Sequence, residues 1–245
     1  MEQIKTEPVS KPTAKRENLF LNIALNILVP VLLLKKGSTW LPFLTPVQVL
    51  LVALFFPVAY FSYDLYKRRK YNFISILGFV SILLTGGIGL LQLNPIWVAI
   101  KEAAIPALIG VGILLSNKTK YPLIRTFLYN KEIIEVEKID EALDSRGVRN
   151  QFDRLLNVCT WLLVSSFLLS SVLNFFLARI IVTTNPADDA VLFNDELGSL
   201  TAWSIPVIVV PSMIVTSIAL WKLLSGIKEL TGLQLEEVFK QPVKD

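Results

Sequence analysis

From Tyr66 to Ser116 the chain reads YKRRKYNFISILGFVSILLTGGIGLLQLNPIWVAIKEAAIPALIGVGILLS. Two apolar runs, 73–93 and 97–116, are separated by little more than Asn94-Pro95 and preceded by the basic turn Lys67-Arg68-Arg69-Lys70. Each run is close to the roughly 20 residues that a helix rising 1.5 Å per residue needs to cross a ~30 Å hydrocarbon layer. The stretch predicts an antiparallel membrane hairpin with a basic inner end and a short outer turn without Lys or Arg.

Working outward, further apolar segments are expected at 19–34, 47–66, 155–182 and 200–221. The sequence therefore predicts an all-α fold, a polytopic membrane bundle of six transmembrane helices with short amphipathic cytosolic helices. The first segment is the shortest and contains Asn22, Asn26 and Pro30, so tilting or shelter by neighbours is expected there. Composition agrees: 53% of the 245 residues are hydrophobic and 18% charged, with a mean hydropathy of +0.57, whereas soluble domains carry about 25% charge. With no histidine and one cysteine, Cys159, the usual zinc, haem and iron–sulfur sites and disulfide frameworks are excluded. No Ser/His or Cys/His pair can be built and no P-loop spacing occurs, so neither catalysis nor a cofactor is expected.

Basic residues accumulate on the cytoplasmic side of membrane proteins, and here they alternate. Of 24 Lys and Arg, twenty fall in the N-terminal tail, the 67–70 turn, the 117–154 connection and the C-terminal stretch. Lys35, Lys36 and Arg179 are assigned to the outer side and Lys101 lies within a segment. Both termini are thus expected in the cytoplasm, residues 1–18 as a disordered tail and 228–245 as a cytosolic C-terminal tail. Trp40, Trp97 and Trp203 mark outer ends; Tyr66, Tyr71, Tyr121 and Trp221 mark inner ends. The distribution accounts for the net charge of +4, so anionic membrane lipid, not nucleic acid, is the expected counterpart.

In the 117–154 connection, Ile133, Val136, Ile139 and Leu143 recur at helical spacing with Gly147 as a stop. This predicts an amphipathic helix, lying on the membrane or bundle or else offering a docking surface. Leu230, Leu235, Val238 and Phe239 suggest a second interfacial helix. Asp188, Asp189, Asp195 and Glu196 read as an acidic outer loop without a recognisable calcium-ligand spacing.

Charges inside a span are functional candidates by default, which singles out Lys101 and Glu102. Two readings stand side by side: Lys101 snorkels to the outer boundary, or the pair lines a small cavity for a headgroup, solute or proton. A tight hairpin is expected to set Gly86, Gly87 and Gly89 beside them, for close helix packing or as part of a binding site. Asn157 and Asn174, with Ser165, Ser166, Ser170 and Ser171, are polar groups within the fifth segment that interhelical hydrogen bonds explain. Pro30, Pro57, Pro106, Pro206 and Pro211 are expected to kink their helices.

Taken in order, these segments resemble the intracellular septation protein A family, the inner-membrane-spanning septation proteins. The resemblance rests on Val29-Pro30-Val31 followed by Lys35, Lys67-Arg68-Arg69, Gly86-Gly87, Pro122-Leu123-Ile124 with Leu128, and Asn174. It implies a bacterial inner-membrane protein linked to septation, elongation and envelope integrity, with membrane-protein partners and no established catalytic activity. The longer tail, longer 117–154 connection and acidic 188–196 stretch depart from that pattern. The expectation is a non-enzymatic membrane protein working through division or elongation proteins, with homo-oligomerisation left open. Its alternative is a small transporter or lipid-handling protein using Lys101 and Glu102.

Overall fold

The computed structural model describes residues 23–68, 73–117, 119, 123–130 and 133–240. The expected tail 1–18, residues 19–22 of the first segment with Asn22, Arg69 and Lys70 of the basic turn, Tyr71, Lys118, Lys120, Tyr121, Pro122, Lys131 and residues 241–245 lie outside them.

The described chain is all-α. A π-turn, Ala24–Leu28, leads into α1 (Val29–Trp40), followed by α2 (Pro46–Arg68), α3 (Phe73–Leu90) and α4 (Ile96–Ser116). The short α5 (Leu123–Phe127) and α6 (Val136–Ser145) precede α7 (Arg149–Ile181). Then α8 (Ala190–Ser204), a π-turn (Ile205–Val209) and α9 (Val210–Thr231) run on as one long helix, and α10 (Leu235–Val238) closes the chain.

Local chemistry sets these boundaries. Thr45 and Gln48 cap α2 reciprocally, Thr45 N donating to Gln48 Oε1 (2.8 Å) and Gln48 N to Thr45 Oγ1 (3.3 Å). Asp189 caps α8 by accepting from Leu192 N. Gly232, at φ 72°, ends α9 in the left-handed conformation that favours glycine, and Gly147, at φ 66°, stops the chain just beyond α6 as expected. Each π-turn lies just before a proline, Pro30 or Pro211, whose missing N–H and ring clash disturb the preceding turn.

Four helices are long and apolar enough to cross a membrane among the described residues: 46–63, 96–116, 149–181 and 190–231. This corrects the expected six. The helix ending at Trp40 carries Lys35, Lys36, Gly37 and Ser38 in its last turns, and the described apolar part of α3, Phe79–Leu90, is short. The last span is longer than the expected 200–221, because the helix starts at Ala190 and continues to Thr231. No more than 28% of any of the four apolar windows is buried within the protein. Such large outward apolar surfaces belong in lipid, and the chain is a multi-pass membrane protein by helix length and hydropathy.

α4 and α7 pack antiparallel along their length. Ser171 Oγ donates to Ala103 O (2.8 Å), Gly110 faces Phe167 and Val164, and Asn117 Nδ2 donates to Asn157 Oδ1 (3.1 Å). α9 packs on the other side of α7, where Ser166 Oγ donates to Ser212 O (2.9 Å) and Gly226 abuts Leu155. At the outer end α8 lies against α1 and α2, and Asn194 Nδ2 donates to Pro46 O (2.8 Å).

Two buried cores result. An outer one joins Leu34, Leu50, Ala53, Ile88, Val98, Ala99, Ala178, Phe193 and Leu197. An inner one joins Ile113, Ile139, Leu143, Phe152, Leu163, Leu223, Ile227 and Val238. The inner core ties the membrane helices to a cap made of α5, α6, α10 and the ends of α7 and α9. As predicted, α6 is amphipathic: Val136, Ile139 and Leu143 are buried, while Ile133, before the helix, is exposed.

Candidate functional site

Lys101 is 7% exposed although it sits on a membrane helix. Its Nζ donates to Glu102 Oε1 at 2.5 Å and to Ser81 Oγ on α3 at 3.4 Å. Ser81 lies nine residues from the outer end of α3, about 13 Å along its axis, whereas Lys101 is five residues, about 8 Å, from the start of α4. The ammonium therefore turns inward to a protein partner, and the snorkelling reading is replaced by a buried, hydrogen-bonded ion pair. Glu102, 29% exposed, is its open side.

The glycine run is not beside this pair. Gly86 and Gly89, three residues apart, share the face of α3 that meets Leu54 and Leu50 on α2. A Cβ on Gly87 would meet nothing within 4 Å. The rotation of α3 presents Ser81, not the glycines expected there, to Lys101. Asn174 is on α7, three residues beyond Ser171, and Nδ2 donates within its own helix to Ser170 O (2.8 Å). Asn157 pairs with Asn117 at the inner end of the bundle. Lys101, Glu102, the glycines, Asn157 and Asn174 thus form separate contacts instead of one pocket.

The acidic stretch is also corrected. Only Asp188 and the capping Asp189 belong to the connection, since α8 begins at Ala190 and incorporates Asp195 and Glu196. Glu196 accepts from the backbone and hydroxyl groups of both Thr183 and Thr184, tying down the turn after α7. Asp195 pairs with Lys35 at 3.6 Å, and Lys35 Nζ also donates to Ser199 Oγ at 2.8 Å. Sequence reasoning missed this link, because nothing local signals a pairing between α1 and α8. Among the described residues no group of three His, Cys, Asp or Glu is placed to hold a metal.

A groove of about 550 Å³ runs along α9, lined by Val210, Met213, Ile214, Ser217, Ile218 and Trp221. All six belong to one outward, mainly apolar helix face, the surface expected to meet lipid chains.

The cap carries the densest polar network. Tyr129, 2% exposed, donates to Asp140 Oδ1 (3.4 Å), which also receives Arg149 Nη1 (2.5 Å). Burial first, and the Asp140 carboxylate second, push the Tyr129 phenol well above its ordinary value. A raised folded-state value means stabilisation that is complete below the ordinary ionisation near 10 and lost as pH rises through the folded value. Above about pH 10 wild type should therefore lose stability faster than Tyr129→Phe in denaturant titrations.

The C-terminal segment clasps α6. Glu135 N donates to Val238 O and Lys240 N to Ile133 O, both at 2.9 Å, forming the Ile134–Phe239 antiparallel bridge. Val238 is fully buried, and Glu237 accepts from Lys138 Nζ (2.8 Å) and Gln234 N (2.9 Å). The hydrogen bond from Lys138, then that from the Gln234 backbone, hold the Glu237 carboxyl below its usual range. A depressed carboxylate contributes above its unfolded value and is lost as pH falls through its folded one. Exchange protection of the Glu135 and Lys240 amides, corrected for intrinsic rates, should fall below about pH 4. Glu237→Gln should show weaker protection at pH 7 and no such acid step.

No known protein family, curated protein or solved structure matches the chain.

Proposed function

We propose that this is a non-enzymatic bacterial inner-membrane protein that supports envelope maintenance or septation by contacting other membrane proteins through its cytosolic cap, with both termini cytoplasmic. The observation that carries the reading is the cap itself: α6 is packed onto the ends of α7 and α9 and clasped by the C-terminal segment. Its buried side supplies order, and its outer side carries the exposed charges Glu137, Lys138, Glu141 and Asp144. Loops and termini that are merely solvated need no such clasp. The resemblance to septation protein A supplies the process, and the basic inner side supplies the lipid counterpart.

The test is site-specific photocrosslinking in native membranes from Glu141, exposed on the cap; Ile139, fully buried, would serve as the negative position. Repeated capture of division or elongation proteins at Glu141 and not at Ile139 supports the reading. Capture of lipid alone at Glu141 overturns it.

A second reading, a small transporter or lipid-handling protein, is favoured by the buried Lys101–Glu102 pair with its partly open carboxylate. A probe at Glu102 that captures one small molecule or lipid, with loss of capture in Lys101→Met, would put that reading first.

A further inference from the structure

The long α8–α9 helix carries its own depth markers. Trp203 and Trp221 are both exposed and lie eighteen residues apart, about 27 Å at 1.5 Å per residue and close to the ~30 Å hydrocarbon thickness. Tryptophans favour the boundary with water, so the pair sets this helix in the bilayer with Trp221 on the cap side. α7 agrees: Cys159 Sγ donates to Ala219 O (3.6 Å), which puts the exposed Trp161 at nearly the depth of Trp221. The midplane then falls near Ser212, nine residues from either tryptophan.

The groove on α9 occupies the cap-side half alone. It runs from Val210 to Trp221, about 16 Å along the axis, which is the depth of one leaflet of a ~30 Å layer. Two ridges of residues four apart bound it: Val210, Ile214 and Ile218 on one side, Met213, Ser217 and Trp221 on the other. Ser217, small between Met213 and Trp221, leaves the second ridge low. The row of Ile218 continues to Lys222, and Ser225 follows Trp221 one turn on; both are exposed. An ammonium and a hydroxyl thus stand at the mouth of an apolar channel.

Lys222 forms no ion pair among the described residues. The nearest acid on α9 is Glu229, two turns away. At the same depth on α7, between Leu155, which abuts Gly226, and Cys159, which meets Ala219, stand only Leu156, Asn157 and Val158. A cation at the membrane boundary without a carboxylate attracts anionic lipid. We propose that the α9 groove binds one anionic phospholipid of the cap-side leaflet, with an acyl chain lying between the ridges from Val210 to Trp221 and the headgroup phosphate held by the Lys222 ammonium and the Ser225 hydroxyl. Trp221, 70% exposed, walls the channel at headgroup level. The groove stops at mid-bilayer beside the π-turn, as a single lipid chain does, whereas a helix from a second copy would lie along the whole span. The site is separate from the outer face of the cap, so its occupancy does not depend on protein contacts there.

The experiment is tryptophan quenching by chain-brominated lipid in phosphatidylcholine vesicles holding the full chain, the Trp221 contribution being the difference between wild type and Trp221→Phe. Brominated phosphatidylglycerol is expected to reach half-maximal quenching of Trp221 at a mole fraction about fivefold lower than brominated phosphatidylcholine, the size of preference that one lysine provides at an anionic surface. Lys222→Gln should abolish that preference. Lys228→Gln, which removes an exposed lysine about 9 Å further along the helix, should keep it. Ser217→Leu, which fills the low ridge, should reduce it. Equal quenching by the two lipids in wild type overturns the proposal, because unselective annular lipid then covers the face. Loss of the preference in Lys228→Gln as well as Lys222→Gln overturns it, since diffuse attraction to a basic surface would suffice, and an undiminished preference in Ser217→Leu overturns the seating of the chain. Trp221 shielded from both brominated lipids also overturns it, because a protein surface then occupies the groove.

Discussion

Glu102→Ala should destabilise the folded protein by about 3 to 5 kcal/mol, the usual cost of stranding one member of a buried ion pair. The effect is large because Lys101 is only 7% exposed and would keep Ser81 Oγ, at 3.4 Å, as its remaining hydrogen-bond acceptor among the described residues. The opposite truncation, Lys101→Met, should cost less. Glu102, at 29% exposure, is the less enclosed of the two, and methionine fills much of the space the lysine vacates. Replacing both, Lys101→Met with Glu102→Leu, should return stability to within about 1.5 kcal/mol of wild type, since no charge then remains buried. Unfolding by denaturing detergent titrated into mild micelles, read by tryptophan fluorescence, measures all four corners of the cycle. Equal, additive losses for the two single variants would show that the pair does not interact and that the burial argument is wrong.

Gly198→Leu is the second large loss. A Cβ at this position would lie 2.7 Å from Lys35 Cγ, 3.3 Å from Leu34 Cβ and 3.3 Å from Val31 O. Lysine can move aside, but a backbone carbonyl and a Cβ on the same helix cannot, so a leucine forces α1 and α8 apart. Overpacking of this kind costs about 1 to 3 kcal/mol, and separation would also break the Lys35 contacts with Asp195 and Ser199. Gly87→Leu is the matched control, because its Cβ would meet nothing within 4 Å. In the same titration it should sit within about 0.5 kcal/mol of wild type, as surface changes generally do. Equal losses at the two glycines would mean that crowding at the α1–α8 crossing does not set the cost, since leucine raises helix propensity at both.

These two sites show how unevenly the sequence discloses the molecule. The unusual depth of Lys101 and Glu102 was legible, because charge within an apolar run stands out at once. Their partner was not: Ser81 and the glycines occupy the same helix at neighbouring depths, and only the rotation of α3 about its axis decides which faces α4. Gly147 and the Val136–Ile139–Leu143 stripe were read correctly, because turn stops and helical periodicity are local properties. Asp195 and Glu196 were misread as loop, because acidic residues near an outer end look alike whether they cap, pair or dissolve. The expected six spans became four because residue hydropathy does not show where a helix ends. Lys35 and Lys36 shorten the apolar part of α1, while the long helix continues unbroken on either side of 200–221.

By itself the amino-acid sequence determined the solvent and set the expected orientation. Hydropathy and the sidedness of Lys and Arg act residue by residue and need no tertiary partner. Tertiary structure alone decided the separation into two cores, the Lys35–Asp195 link and the clasp on the cap. Each depends on the rotation and axial register of helices far apart in the chain. In lipid the outward faces are uniformly apolar, so hydrophobicity carries no information about which face turns inward; small residues and scattered hydrogen bonds settle it only when the helices meet.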